Sequence, residues 1–267
     1  MPPNALPADE AADIHLSRAG SAARADDGPM HRRTRDPRPV TTPWPAGTLL
    51  GRLQPAARGV LLAQCRLQRF KAGEQLIRQG GSDRHALILM SGQVKVALVD
   101  SSGIEVVLAI RHRGDIVGEL AALTGEPRTA SVIAIGQVTA GIVRWTALAE
   151  LISTDGEAAR ELFRTQAHRL EWANQRRVDF AARPARLKIA RVLADLAAAV
   201  DSGASRPVRV ELKQRELASL VGVSLNTVER ALAWLKKQGH VQPGRGAVTV
   251  LDGAALRALS EADGSNP

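Results

Sequence analysis

The sequence predicts an α+β chain in which an antiparallel β-sandwich or barrel precedes a long helix and a helix-turn-helix module. Three observations support this prediction. Short apolar runs separated by glycine-containing turns fill the region from Leu49 to about Ile152. A seven-residue repeat follows in residues 155–182, and two amphipathic segments flank the turn Gly222–Ser224. The 267 residues, 45% of them hydrophobic, are enough to build one or two cores.

Residues 1–45 differ in composition from the rest of the chain. They hold eight of the 14 prolines and equal numbers of acidic and basic side chains, which predicts a disordered tail. Asp9, Glu10 and Asp13 stand where the apolar core of a secretory signal would lie. No apolar stretch is long and uninterrupted enough to span a bilayer, so we expect a cytoplasmic protein without a membrane partner.

Several kinds of chemistry are excluded by what the sequence lacks. Cys65 is the single cysteine, so no internal disulfide and no cradle of several cysteines for a metal can form within one chain. The six histidines show no zinc-binding spacing, and we expect no metal. Neither a Gly-x-Ser-x-Gly elbow nor a Walker loop occurs, and we therefore expect a protein that is not an enzyme.

The predicted strands are short and rich in Val, Ile and Leu. Turns such as Gly80-Gly81 and Ser101-Ser102-Gly103 separate them, and no strand–helix–strand alternation occurs, which argues against a Rossmann-type sheet. The predicted runs are Gln75–Arg78, Ala86–Met90, Gln93–Val99, Glu105–Ile110, Ala130–Ile135 and Ala140–Val143.

Residues 155–182 predict one long helix. Phe163, Leu170 and Arg177 are seven residues apart and lie on a stripe that also carries small alanines. We interpret the stripe as a seam for a second copy of the chain, with packing on the sandwich as the alternative. Pro184 ends this helix or starts the next one. The next predicted elements are an amphipathic helix and a short strand, Leu187–Val200 and Val208–Leu212.

The most specific pattern is a helix-turn-helix. We predict helices over Gln214–Val221 and Leu225–Gln238. Gly222 supplies the positive φ of the turn, and Ser224 is a suitable N-cap for the second helix. A hairpin with Arg245 at its basic tip follows, and it completes a winged helix-turn-helix.

The positive charge of the chain is concentrated around this module. Residues 183–252 carry a net charge of +6 of the total +9, which predicts a polyanionic partner. Asn226, Thr227, Glu229 and Arg230 stand on the first turns of the second helix, where a recognition helix faces the major groove. Double-stranded DNA is therefore the predicted partner, and a helical hairpin that contacts only protein is the alternative.

A second constellation lies in the strand-rich region. Glu119 and Arg128 are nine residues apart, across a short helix predicted over Gly118–Leu123 and a loop. A carboxylate can accept a hydrogen bond from a ribose hydroxyl, and a guanidinium can donate to a cyclic phosphate, so the pair suits the two ends of a cyclic nucleotide. The alternative is an ion pair between Glu119 and Arg128 that closes an empty barrel.

These residues carry a family resemblance. The stretch Val117-Gly118-Glu119-Leu120-Ala121, followed by Pro127-Arg128-Thr129-Ala130, resembles the phosphate-binding cassette of cyclic-nucleotide domains. From about Leu49 to Asp252 the order of elements resembles the cyclic-AMP receptor protein/fumarate–nitrate reductase regulator (CRP/FNR) superfamily of bacterial transcription factors. The resemblance implies a β jelly roll that binds a cyclic nucleotide, a dimerisation helix and a DNA-binding winged helix. The implied domains are residues 1–45 (tail), 46–154 (jelly roll), 155–183 (dimerisation helix) and 184–267 (winged helix).

The family's roles imply ligand contacts for particular residues. Glu119 would accept from the ribose hydroxyl beside the Gly118 and Leu120 backbone. Arg128 would hold the phosphate, helped by the Thr129 hydroxyl and the Ala130 amide. A threonine after the arginine resembles cassettes that accept or prefer cyclic GMP, so the effector is cyclic AMP or cyclic GMP. Where cyclic-AMP activators carry a base-contacting Thr-Ser pair on the long helix, Ala173 and Asn174 stand here, and Asn174 can offer an amide to a purine.

In the DNA-binding module the resemblance also assigns roles. Leu225 and Asn226 replace the Arg-Glu or Val-Glu pair that often begins the family's recognition helix, so we expect a different half-site. Arg230 matches a common family arginine and suits guanine. The phosphate contacts expected are Lys213, Gln214, Arg215 and Arg245.

The family mechanism implies a homodimer in which the nucleotide tightens the cassette against the long helix. This would reorient the hinge at residues 182–184 and present two recognition helices about 34 Å apart to a pseudo-palindromic operator, with RNA polymerase as a further partner. Three alternatives stay open at this point. The chain could bind DNA constitutively, sense haem through Cys65, His85 or His112, or be a nucleotide-binding adaptor that contacts protein and not DNA.

Overall fold

The structure, a computed structural model, describes residues 43–200 and 207–261. Most of the predicted tail, residues 1–45, lies outside the described residues, as do residues 201–206 and the last six. The described chain begins with two helices that the sequence did not predict, and continues into eight short strands with a helix between the sixth and seventh. These elements are α1 (Leu49–Arg52), α2 (Pro55–Ala63), β1 (Arg66–Phe70), β2 (Gln75–Ile77), β3 (His85–Ser91), β4 (Gln93–Val99), β5 (Glu105–His112), β6 (Ile116–Val117), α3 (Glu119–Thr124), β7 (Ser131–Ala134) and β8 (Val138–Arg144).

The strands form two four-stranded antiparallel sheets, with orders β1-β8-β3-β6 and β2-β7-β4-β5. Apolar side chains from both sheets, among them Phe70, Leu89 and Val94, bury each other between the layers. A second cluster covers the outer face of the first sheet with α1 and α2, and it includes Leu50 and Leu61. The predicted β jelly roll is confirmed, and the predicted run Gln93–Val99 matches its strand at both ends.

Two helices follow the jelly roll, α4 (Trp145–Thr154) and α5 (Gly156–Ala182). The sequence predicted α5 but not α4. Asp155 separates them, because its carboxylate accepts hydrogen bonds at 3.0 Å from the backbone N–H groups of Glu157 and Ala158 and so caps α5. On α5, Phe163 and Leu170 are 75% and 63% exposed in the single chain, which is unusual for large apolar side chains.

The C-terminal module contains the predicted helix-turn-helix and wing. Its three-stranded sheet has the order β10-β11-β9, and one apolar cluster joins this sheet to the helices. A C-terminal helix, α9, was not predicted. The elements are α6 (Ala185–Val200), β9 (Val208–Glu211), α7 (Gln214–Val221), α8 (Leu225–Lys237), β10 (Val241–Gly244), β11 (Ala247–Val250) and α9 (Gly253–Glu261).

The C-terminal module is docked against the edge strand β5 of the jelly roll. The backbone N–H of Val107 donates to the Ser219 hydroxyl on α7 at 2.9 Å. Lys95 Nζ lies 3.4 Å from a carboxylate oxygen of Glu216, also on α7. Val107 is buried in the same apolar cluster as the C-terminal module, so the two modules share part of one core.

Candidate functional site

A cavity of about 480 Å³ lies between the jelly roll, α3 and the long helix α5. Six of the seven residues predicted to bind a cyclic nucleotide line it: Gly118, Glu119, Leu120, Arg128, Thr129 and Ala130. Asn174 does not line the cavity in the single chain. Its side chain is exposed on α5, and the neighbouring residues Trp172 and Ala173 line the cavity in its place.

Glu119 enters the cavity from the first turn of α3 and is only 3% exposed. One carboxylate oxygen, Oε1, accepts from Arg169 at 2.6 Å and from Gln166 at 2.9 Å, both on the long helix. The other oxygen, Oε2, is buried without a hydrogen-bond partner among the described residues. An unpaired buried acceptor is costly unless a donor reaches it, so Oε2 is available to a hydroxyl of a bound ligand.

Arg128 is equally buried, at 3% exposure, and reaches the cavity from the loop after α3. Its Nη1 and Nη2 donate at 2.6 Å to the carbonyl oxygens of Gly118 and His85. Burial lowers the pKa of this guanidinium, partly offset by the charges of Asp83 and Glu119. The ion pair between Glu119 and Arg128 considered as an alternative is wrong, since within the described residues the partner of Glu119 is Arg169.

Gly118 connects β6 to α3 and can be no other residue without strain. Its φ is +76°, and a Cβ atom built there would lie 2.5 Å from Ile77 Cδ1 and 2.8 Å from Arg128 Nη1. A positive φ is easy for glycine and costly for residues with a side chain. The glycine therefore lets α3 begin at Glu119 and lets Arg128 approach the backbone.

The long helix supplies partners in this cavity that the sequence did not predict. Gln166, Arg169 and Ala173 line the cavity, and their spacing of three and four residues places them on one helix face. The spacing is visible in the sequence, but no pattern of neighbouring residues indicates that this helix face contacts Glu119. Trp172 lines the cavity too, packs against the apolar cluster of the C-terminal module and borders a neighbouring cavity together with Asp195 of α6. Burial raises the pKa of Asp195.

In the helix-turn-helix the turn has the predicted geometry. Gly222 has a φ of +71°, and its N–H donates to the Ala218 carbonyl at 2.8 Å, which ends α7. Ser224 caps α8 by accepting from the backbone N–H of Thr227 at 3.2 Å. Lys213 cannot accept a hydrogen bond at the start of α7, but the Glu216 carboxylate accepts from its backbone N–H at 2.9 Å, which supplies half of a capping box.

The predicted DNA-contacting side chains lie on the surface of this module. Lys213, Arg215, Ser224, Asn226, Glu229, Arg230 and Arg245 are exposed, and Gln214, Leu225 and Thr227 are half-buried. The Thr227 hydroxyl lies 2.8 Å from the Ser224 hydroxyl, so the cap already engages it. Across residues 43–200 and 207–261, no carboxylate pairs with any of the basic members of this set.

None of the helices described is long and apolar enough to cross a membrane. The described part of the chain also has no group of three or more His, Cys, Asp or Glu side chains placed to hold a metal ion. The residues considered for a haem occur on separate elements: Cys65 precedes β1, His85 begins β3 and His112 ends β5.

Both modules match known families of protein domains. Residues 67–155 match the family of cyclic nucleotide-binding domains, and residues 187–259 match the family of Crp-like helix-turn-helix domains. The chain is 30% identical over 213 residues to the CRP-like cAMP-activated global transcriptional regulator of Mycobacterium tuberculosis, covering 79% of this chain and 95% of that protein. It is 26% identical over 183 residues to the cAMP-activated global transcriptional regulator CRP of Salmonella typhimurium, covering 67% and 87%.

Solved structures show the same fold. FixK2 from Bradyrhizobium japonicum superimposes with a TM-score of 0.63 at 20% identity, covering 74% of this chain and 98% of that chain. A CRP/FNR-family transcriptional regulator from Thermus thermophilus gives 0.60 at 24% identity, covering 74% and 100%. The sequence relatives are transcriptional regulators and not enzymes. Since one of them is 30% identical and matched over nearly its whole length, the chain belongs to the CRP/FNR family of transcriptional regulators.

Proposed function

We propose that this protein is a homodimeric transcription regulator that binds DNA under the control of a cyclic nucleotide, cyclic AMP or cyclic GMP. The observation that carries the proposal is the cavity in which Glu119 and Arg128 are both buried while Glu119 Oε2 has no hydrogen-bond partner in the described part of the chain. Relatives described as cAMP-activated support the same class of effector.

Within the cavity the proposed roles follow from hydrogen-bonding chemistry. Glu119 Oε2 accepts from the ribose hydroxyl, because Oε1 is already occupied by Arg169 and Gln166. Arg128 balances the charge of the cyclic phosphate, and the Thr129 hydroxyl adds a donor at the rim. Leu120 and the Gly118 and Ala130 backbone complete this end of the site. We propose that Asn174 contacts the base only in the dimer, since it is exposed in the single chain.

The DNA contacts proposed for the C-terminal module divide by chemistry. Arg230 and Asn226 address base edges from the exposed face of α8, with Leu225 available to a thymine methyl. Glu229 lies on the same face, and Ser224 and Thr227 hold the start of the helix. The phosphate contacts that position the module are Lys213, Gln214, Arg215 and Arg245.

Dimerisation is proposed through the exposed stripe of α5. Phe163 and Leu170 lie on it, and the large apolar area that they expose is stabilised when a second copy covers it. Two recognition helices in one dimer then suit a pseudo-palindrome with half-sites about 34 Å apart. We assign residues 46–154 to nucleotide binding, 155–183 to dimerisation and 184–267 to DNA binding. A DNA partner implies a cytoplasmic location, with RNA polymerase as a further partner and no role for a membrane or metal.

Regulation requires the nucleotide to bind the DNA-competent arrangement more tightly than the idle one. Trp172 gives a route for this coupling, because it lines the cavity and also packs against the apolar cluster of the C-terminal module. A ligand that moves the indole changes a contact between the two modules.

Isothermal titration with cyclic AMP and with cyclic GMP tests the effector. We expect heat with at least one nucleotide, a loss of at least tenfold in affinity for Glu119→Gln, and no change for Glu126→Gln, an exposed residue in the neighbouring loop. No heat from either nucleotide would overturn the sensing half of the proposal.

Selection of binding sites from random DNA, with and without each nucleotide at one stated salt concentration, tests the other half. We expect a pseudo-palindromic site whose enrichment depends on the nucleotide. Light scattering of wild type and Phe163→Glu tests the seam, and a wild type that is monomeric at every concentration would contradict the dimer.

A further inference from the structure

A second cavity, of about 280 Å³, lies where the end of β5, the long helix and the C-terminal module meet. We call it the crevice. Arg111 on β5, Arg169 on α5, and Asp195 and Arg257 on α6 and α9 line it. Neither the predicted nucleotide contacts nor the predicted DNA contacts lie in the crevice.

Most charges that line the crevice are balanced by a neighbour. Arg52 lies 3.2 Å from Glu161, Arg169 lies 2.6 Å from Glu119, and Arg257 lies 3.1 Å from Asp195. The remaining carboxylate, Asp115, accepts the backbone N–H of His112 at 3.0 Å and lies 3.7 Å from its ring. Every carboxylate in the lining is therefore engaged.

Arg111 is the exception. Its one hydrogen bond among the described residues is from Nη1 to the carbonyl oxygen of Ile110 at 3.1 Å. Burial and the nearby positive charge of Arg169 together lower the pKa of this guanidinium to about 10, although the charges of Asp115 and Glu119 oppose the shift. At neutral pH the group is still charged. Arg111 is half-buried, and the nearest carboxylates, Asp115 and Glu119, are engaged by other residues, so an anion beside the guanidinium would stabilise it.

We propose that the crevice is a second ligand site, which binds a small phosphate-bearing anion through Arg111 and Arg257. A guanidinium presents paired N–H donors that match two phosphate oxygens. Arg257 uses one nitrogen, Nη2, for Asp195, so its other donors can face the crevice. The volume of about 280 Å³ suits a phosphate or a small sugar phosphate better than a purine nucleotide.

The position of the crevice gives its occupant access to both modules. Arg111 belongs to the jelly roll, and Arg257 belongs to the C-terminal module. Arg111, Arg169 and Trp172 also line the larger cavity, so they form a wall common to the two. An anion in the crevice would therefore hold the modules together and act on the same wall as a ligand in the larger cavity. This site does not depend on the proposed cyclic-nucleotide function.

Thermal unfolding and isothermal titration with inorganic phosphate test the proposal, with chloride at equal ionic strength and pH as the reference. A parallel titration with ribose 5-phosphate distinguishes free phosphate from a phosphorylated metabolite. We expect saturable binding of phosphate or of the sugar phosphate by wild type, and at least tenfold weaker binding by Arg111→Met. Arg160→Met, which alters an exposed arginine of α5, serves as the control and should bind like wild type.

Phosphate could also enter the larger cavity, and Arg128→Leu separates the two sites. We expect Arg128→Leu to retain the phosphate binding that depends on Arg111. If Arg128→Leu instead lost phosphate binding together with nucleotide binding, the anion would belong to the larger cavity and the proposal would be overturned. Should Arg111→Met fail to fold, Arg257→Gln provides a second test with the same expected loss. The proposal would also be overturned if phosphate and ribose 5-phosphate both bound no more tightly than chloride. Wild-type affinity for these anions in both Arg111→Met and Arg257→Gln would overturn it as well.

Discussion

The larger cavity and α8, the proposed recognition helix, carry the same functional groups in opposite environments. Glu119 and Arg128 are each 3% exposed, and Glu119 Oε1 is bonded to the long helix while Arg128 Nη1 and Nη2 are bonded to backbone carbonyls. Asn226, Glu229 and Arg230 are exposed on α8. A buried charge must be balanced for the chain to fold, whereas an exposed one is balanced by water.

This difference separates two kinds of mutational effect. In the cavity a side chain both supports the fold and prepares the site, so its removal should change stability and binding together. On the recognition helix the backbone is held from the other face by Val228, Leu232 and Leu235. Removal of an exposed side chain there should change DNA binding alone.

The largest expected effect is on DNA binding by Arg230→Ala. A lost base contact costs about 1–3 kcal/mol, roughly 5- to 150-fold, in each half-site of a dimer. We expect unfolding free energy to change by no more than about 0.5 kcal/mol, because the side chain is exposed. Fluorescence anisotropy with the selected DNA site measures the loss of DNA affinity, and thermal unfolding measures the change in stability.

Arg245→Ala is the control for that measurement. It removes a proposed phosphate contact, so it should weaken binding to all sequences alike and lower the salt dependence. A loss of stability in Arg230→Ala comparable to its loss of binding would break the contrast between the two regions.

Arg128→Leu should reduce stability and nucleotide binding together. The substitution leaves the carbonyl oxygens of Gly118 and His85 without their donor, at a cost of about 1–3 kcal/mol each. Chemical denaturation measures the loss, and titration should give no heat with either cyclic nucleotide. An unchanged unfolding midpoint would show that the guanidinium does not support the cassette.

Gly118→Ala should destabilise the jelly roll by about 1–3 kcal/mol, because alanine would be forced to a φ of +76° and into Ile77. Gly136→Ala is the matched control, since its Cβ would meet nothing within 4 Å and its φ lies outside the positive region. The unfolding free energies of the two variants, measured by chemical denaturation, should differ by about 1–3 kcal/mol. Equal midpoints would contradict the strain assigned to Gly118.

Glu216→Gln tests the contact between the modules, and we expect a smaller effect of about 0.5–1 kcal/mol. The amide oxygen can still accept from the Lys213 backbone, so the substitution removes mainly the ion pair with Lys95. The difference from wild type should shrink in high salt. Glu211→Gln, in an exposed pair with Arg209, should change stability less, and the reverse order would count against the docked arrangement.

The smallest expected effect concerns the half-buried thiol of Cys65. Burial raises the pKa of its thiol to about 11, so the thiolate is scarce in the folded protein at pH 8. Alkylation by iodoacetamide should be slow in the native protein and much faster in denaturant. Equal rates in both conditions would show that the thiol is not shielded.

The features that were predictable from sequence depend on neighbours along the chain. The turn at Gly222, the cap at Ser224 and the helix Gln214–Val221 came out as expected, because local hydrogen bonds and 3.6-residue periodicity decide them. Helix α4 was missed because it follows β8 directly and has no side-chain cap to mark its start. The C-terminal helix α9 was missed as well.

The sequence by itself determined the order of modules and the identity of Glu119 and Arg128, since cassette residues lie close together along the chain. Only the tertiary structure decided that Arg169 and Gln166 occupy one oxygen of Glu119, that α7 docks on β5, and that Arg111 stands between two cavities. These contacts join residues that are about 40 or more positions apart in the sequence, or they join the surfaces of separate helices and strands. They arise from the packing of whole helices and sheets, which burial of apolar surface drives and no local pattern records.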